Sequence, residues 1–292
     1  MSKIRNARCE NKVNPINVDT QSPRFSWQIV SDEHDVFQTW YRIVVKNGEQ
    51  TCWDSGKVES GQTFAVRYEG TPLVSREAYS WDIEAGLNTG EVLRSEEQTF
   101  ETVLFAPSEW HAAFIEPDKL PGLDYDPLEV YKEKWFACVQ RLLAGQDPEF
   151  FDTGEYLKSQ PHQPYYPAVM MYRKFTLEEV PEKARIYMTA HGIYKFYING
   201  KLASDAALEP EFTTYDKILK YQVYDVTALL TKGENAILVV VVDGWYKGKI
   251  AYGFGCEHGD NPGLLLEVDV GLKGRKTFRL CSDETFLFSY DG

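Results

Sequence analysis

The stretch Asp243-Gly-Trp-Tyr-Lys-Gly-Lys-Ile-Ala-Tyr-Gly-Phe-Gly-Cys-Glu-His-Gly-Asp-Asn261 interleaves aromatic rings with carboxylates and an amide. Its repeated glycines predict a loop. Trp245, Tyr246, Tyr252 and Phe254 offer flat apolar faces of the kind that stack on the C–H side of a pyranose. Glu257, Asp260 and Asn261 offer oxygens that accept hydrogen bonds from sugar hydroxyls. The same composition also suits a surface that packs against another domain, or plain structure, and all three readings stand at this point. Catalysis finds less support. Glycoside hydrolysis needs two carboxylates flanking the scissile bond, and among 44 acidic residues pairs are easy to find. None sits in a catalytic motif, so no catalytic residue is assigned. A Walker-type glycine loop, a paired-histidine metal motif and a G-x-S-x-G elbow are all missing from the sequence. No metal ligand or cofactor is expected. Lys201 and Asp225 have simpler accounts: Lys201 follows an Asn-Gly turn, and the Asp225-x-Thr227 pair caps local backbone.

The elements that must position this loop lie just before it, between Arg185 and Tyr246. Ile186, Met188, Ile193, Phe196 and Ile198 set a strand pattern, and Asn199-Gly200 is the dipeptide that best accepts the positive φ of a two-residue hairpin loop. Asp225 to Gly233 reads as a short connection back into the sheet. Ala236–Val242 is an almost unbroken valine-rich run, which predicts a strand buried on both faces.

Aromatic residues make up 14% of the 292, with few helix-favouring runs, so the fold class is mainly β. Two antiparallel β-sandwiches in series are expected, residues 1–105 and 106–292. In the first, Arg24-Phe-Ser-Trp-Gln-Ile alternates as a half-buried strand does. Tyr79, Trp81 and Ile83 share one face, with Tyr79 placed like the tyrosine corner of immunoglobulin-like sandwiches. The tryptophans are read as core. In the second, strands are expected near Met170, 263–270, 276–280 and 285–289. Residues 118–165 interrupt the pattern. Asp126-Pro127 with Leu128, Tyr131, Trp135, Val139 and Leu142 predicts an amphipathic helix over 127–144 ended by Gly145. A net charge of −13 disfavours nucleic acid and anionic membrane as partners. No apolar run is long enough to span a bilayer. The first residues lack a hydrophobic signal region, and five scattered cysteines suit reduced thiols, so the expected setting is cytoplasmic.

Several motifs in order resemble the N-terminal region of bacterial α-L-rhamnosidases. NPINVDTQSPRFSWQI, QTWYRIVV, WDSGKVES and AYSWDIEAG are similar to the fibronectin-III-like module that opens those enzymes, and SEWHAAFIEP to its joint with the next domain. YKFYINGK, YQVYDVTALLTKGENAI and DGWYKG are similar to the β-sandwich that follows. The resemblance implies a jelly-roll-like second sandwich and a parent glycoside hydrolase of the inverting kind. Its catalytic acids would lie in a large helical barrel beyond Gly292. This chain is then expected to be a truncated, non-catalytic accessory region, inactive by itself. Its partner is that C-terminal catalytic domain of the same protein. Stand-alone binding of rhamnose-containing glycans is the alternative. Some relatives use the second sandwich as a calcium-dependent rhamnose module, with an Asp-Asn pair just before the Y-x-x-Y-x-N-G strand. Here His191-Gly192 takes that place, which argues against calcium. His191 is expected to be a turn or core histidine.

Overall fold

The structure is a computed structural model. It describes residues 1–118, 136–137, 139–141, 143–146, 168–248, 258–259 and 261–290. The chain divides into two compact units, Met1–His111 and Ala112–Gly292, and both are antiparallel β structures.

In the first unit, β1 (Lys3–Cys9), β2 (Arg24–Val30) and β5 (Val66–Arg67) form one sheet. β4 (Gln50–Asp54), β3 (Gln38–Asn47), β6 (Ala78–Leu87) and β7 (Val92–Arg94) form the other, and β8 (Gln98–Glu101) also pairs with β6. Strand alternation explains the packing. Tyr79, Trp81 and Ile83 point inward and are buried, and Phe25 lies with its ring centroid 4.4 Å from that of Trp81. Trp27 and Trp81 belong to this core, which leaves neither as a sugar platform. The Tyr79 hydroxyl accepts a hydrogen bond from the Val74 backbone N–H at 2.8 Å. This is the tyrosine corner, and it locks the turn before β6. Tyr79→Phe leaves that N–H without its partner. It is expected to destabilise the first unit by about 1 kcal/mol in urea unfolding.

In the second unit, β10 (Lys183–His191) lies between β13 (Gln222–Asp225) and β15 (Gly263–Gly271), and β16 (Thr277–Cys281) completes a four-stranded sheet. The facing sheet has five strands in the order β12 (Lys201–Leu202), β11 (Ile193–Ile198), β14 (Gly233–Val242), β9 (Val169–Leu177) and β17 (Leu287–Ser289). Ala184, Ile186, Met188 and Ala190 of β10, with Leu264, Leu266 and Val268 of β15, meet Phe196, Ile198, Ile237, Val239 and Val241 across one core. The β11–β12 hairpin turns on Asn199 (φ +52) and Gly200 (φ +78), as the dipeptide requires. The cap at Asp225 is present: its carboxylate accepts hydrogen bonds from the Thr227 N–H (3.0 Å) and hydroxyl (2.6 Å).

Two expectations change, and one strand was unforeseen. Ala236–Val242 is not buried on both faces. Ile237, Val239 and Val241 are fully buried, but Leu238 and Val240 are half-buried and Val242 is exposed, because this strand has the core on one side only. The loop predicted from Asp243 begins instead with one helical turn, α1 (Gly244–Lys247). β1 was not anticipated, since its sequence KIRNARC lacks an apolar alternation. Of the predicted helix, the described residues 136, 137, 139–141 and 143 are helical, and Gly145 follows at φ +67. Its start lies outside the described residues. No helix among the described residues is long and apolar enough to cross a membrane.

Candidate functional site

The loop residues that drew attention sit at one end of the second sandwich. β10 ends there at His191, and Gly192 swings the chain from the four-stranded sheet into β11 of the five-stranded one. β14 ends at the same place, α1 follows it, and Asn261 and Pro262 lead into β15. A short segment, Ala112–Glu116, closes this end. Ala113 donates to the Ser282 carbonyl, and Ile115 exchanges backbone hydrogen bonds with Leu264.

These elements converge on an aromatic stack. The His191 imidazole lies between Phe114 (centroids 4.2 Å, planes 12° apart) and Tyr246 (4.3 Å, 2°). Tyr215 meets Tyr246 edge-on at 5.5 Å and His258 at 5.1 Å. Phe212 meets Trp245 edge-on at 6.0 Å. Two glycines make room. A Cβ on Gly263 would come within 3.2 Å of His191 Nδ1, and one on Gly259 within 2.3 Å of the Tyr246 hydroxyl. A side chain at Gly259 would have to displace the Tyr246 ring, and one at Gly263 would crowd the imidazole.

The described carboxylates of this end are partnered. Glu116 accepts from the Asn261 amide at 3.4 Å and stands 3.9 Å from His191 Nδ1. Asp243 lies 3.8 Å from the Lys247 ammonium on the same helical turn, and Glu211 pairs with Lys220. Burial raises the Asp243 carboxyl above its usual range, and Lys247 opposes that. Among the described residues the arrangement holds carboxylates against cations and amides, which differs from the facing carboxylate pair of a glycosidase.

His191 Nδ1 is buried without a hydrogen-bond partner. Burial lowers the imidazole's pKa below the ordinary histidine value of 6.5, and the Glu116 carboxylate only partly opposes this. The folded state therefore prefers neutral His191, while the unfolded state takes up a proton as pH falls through about 6.5. The resulting linkage removes stability below that pH and none above it. Acidification from pH 8 to 5.5 is expected to lower the unfolding midpoint of the second unit less in His191→Phe, which keeps the stack, than in the unaltered chain.

Of the residues singled out from sequence, the structure brings Trp245, Tyr246 and Asn261 to this end. Tyr252, Phe254, Glu257 and Asp260 lie outside the described residues. Tyr246 is engaged by His191 on a ring face. Trp245 is half-buried beside Phe212, which is 52% exposed. Phe114, Phe212, Tyr215 and His258 were missed. The only signal for Phe212 and Tyr215 was an aromatic pair, EFTTYD, between the Asn199-Gly200 turn and Asp225. His191 is a partly buried stacking residue, close to the expected core role. A calcium ion needs six to eight oxygen ligands. The tip offers an imidazole stacked on both faces and a hinge glycine, so the donor set at His191-Gly192 does not fit calcium.

Comparison with known proteins matches residues 4–106 to the family model "Rha78A-like, N-terminal immunoglobulin domain" and residues 179–292 to "Alpha-L-rhamnosidase N-terminal domain". An α-L-rhamnosidase of Alteromonas sp. (strain LOR) is 28% identical over 293 residues, covering 97% of this chain and 28% of the relative. One from Formosa agariphila is 29% identical over 288 residues, covering 96% and 27%. Among solved structures, the α-L-rhamnosidase of Aspergillus terreus superposes with a TM-score of 0.77 at 25% identity, over 99% of this chain and 29% of that one. The Dictyoglumus thermophilum enzyme gives 0.75 at 26% identity, over 99% and 30%. The chain thus spans just over a quarter of the length of the curated relatives it matches.

Proposed function

The chain carries the paired N-terminal domains of the α-L-rhamnosidases, and from that premise we propose that it serves as a non-catalytic accessory region. It supports a catalytic domain of a longer polypeptide that hydrolyses terminal α-L-rhamnosides. The carrying observation is coverage: nearly all of this chain aligns with little more than a quarter of each relative. The site geometry is consistent with this. Its described carboxylates face cations and amides, and Phe114, His191 and Tyr246 stack on one another. The free thiols of Cys9 and Cys52 support a reducing, cytoplasmic setting.

A second reading is stand-alone binding of rhamnosylated glycans at the rim formed by Trp245 and Phe212. The exposure of Phe212 beside Trp245 favours it. Asn261, at the same end, would add a polar group to such a rim. Calorimetric titration of the 292-residue chain with rhamnose and rhamnosyl oligosaccharides, with calcium and with chelator, separates the two. The accessory reading expects no saturable heat at millimolar sugar. Saturable heat that Trp245→Ala removes would establish the binding module instead. If chelator abolished that heat, the assignment of His191-Gly192 as unfit for calcium would be wrong.

A further inference from the structure

An antiparallel sheet with its core on one side normally turns polar side chains outward on the other. The five-stranded sheet of the second unit does the opposite. Its registers place Leu202 of β12 opposite Tyr197 of β11, Tyr197 opposite Leu238 of β14, Leu238 opposite Tyr172 of β9, and Tyr172 opposite Leu287 of β17. Directly opposed residues share a face. The inward face of this sheet is taken by Phe196, Ile198, Ile237, Val239 and Met171, so this row lies on the outer one. It crosses all five strands, a width of about 19 Å at ordinary strand spacing. Val240 pairs with Met170 in the adjacent row, and Val242 with Ile193 beyond it. Leu202, Val242 and Leu287 are 49%, 43% and 68% exposed. The charges on this face are spoken for: Lys174 pairs with Glu234 at 2.8 Å, and the Lys195 ammonium donates to the Ala206 carbonyl. A contiguous apolar face whose cations are held by partners is the mark of an interaction surface.

We propose that this outer face is where the accessory region docks onto the catalytic domain of its own polypeptide. The inference rests on the accessory reading above and names its contact surface. Two observations select this occupant. Relatives are more than three times as long as this chain, so a large in-cis partner is at hand in the family. β17, which supplies Leu287 to the row, is the last described strand and lies at the edge of this same sheet. A polypeptide continuing from it starts at the rim of the apolar face, where tethering makes the local concentration of an attached domain high.

The test uses the full-length polypeptide and reads the half-life of its aryl α-L-rhamnosidase activity at elevated temperature. The double variant Leu202→Glu/Leu287→Glu places charge at both ends of the row, at positions exposed enough to fold. It is expected to shorten the half-life roughly five- to thirtyfold, the factor that corresponds to a loss of about 1–2 kcal/mol. The melting temperature of the 292-residue chain carrying the same changes should be unaltered. Leu238→Gln, in the middle of the row, should act in the same direction. An unchanged half-life in both variants, with rapid inactivation on deleting residues 1–292, would overturn this docking face and leave the accessory reading standing. A deletion that changed neither activity nor half-life would remove both. Dimerisation of the 292-residue chain that the double variant abolishes, with the full-length half-life untouched, would assign the face to a second copy and overturn the proposal.

Discussion

Gly192→Ala is expected to destabilise the second unit by about 3 kcal/mol or more, while leaving the first unit's transition in place. Gly192 adopts φ +139, a conformation that L side chains rarely enter. A Cβ there would lie 2.3 Å from the Val242 carbonyl oxygen and 3.0 Å from a Val241 methyl. The carbonyl belongs to the β14 backbone, where Val242 is paired with Ile193, and cannot step aside cheaply. The hinge also sets the direction of His191, so the Phe114–His191–Tyr246 stack should loosen with it. Gly200→Ala is the control. Gly200 has φ +78 but nothing within 4 Å of a Cβ, so only the backbone penalty applies, about 1 kcal/mol. Urea unfolding of the two variants should show this difference in the second transition.

Glu267→Ala should cost about 1–3 kcal/mol in the same transition, because it strips a part-buried backbone N–H of its acceptor, while the partly exposed Arg279 keeps Asp269. Glu267 is fully buried on β15, on the side of the strand away from the core residues Leu266 and Val268. Its carboxylate lies 3.1 Å from the Arg279 guanidinium and accepts the Ala112 N–H at 3.4 Å. The second bond matters for the site, because Ala112 begins the segment that carries Phe114 and Glu116 to the aromatic end. Glu267→Gln keeps an acceptor for that N–H, and Arg279 retains Asp269 at 2.5 Å. Its loss should therefore be clearly smaller than that of Glu267→Ala, and a midpoint ordering of wild type, Gln, then Ala is expected.

The fold was legible where local chemistry decides. Asn199-Gly200 named its hairpin, Asp225 its cap, and Tyr79 its corner, because each depends on φ or on a partner a few residues away. The valine run of β14 misled for a physical reason. Apolar residues on both faces say that both faces meet apolar surface, but not that the surface belongs to the same domain. Its outer residues, Leu238 and Val240, are where the sequence pattern and the packing disagree, and that disagreement locates the proposed docking face. The aromatic end was only half legible. Trp245 and Tyr246 stood out by composition. Phe114 and Tyr215 reach His191 and Tyr246 from 77 and 31 residues away in the chain, through the closing segment Ala112–Glu116 and a long loop, and no periodicity encodes that approach.

The most direct test of the accessory reading is release of aryl alcohol from an aryl α-L-rhamnoside by the purified 292-residue chain, assayed beside the full-length polypeptide. The account predicts turnover by the full-length polypeptide and none by these 292 residues at any pH between 4 and 8 (roughly the range over which carboxylate acid–base pairs operate). Sustained turnover by the 292-residue chain, lost on mutation of one of its own carboxylates, would contradict it.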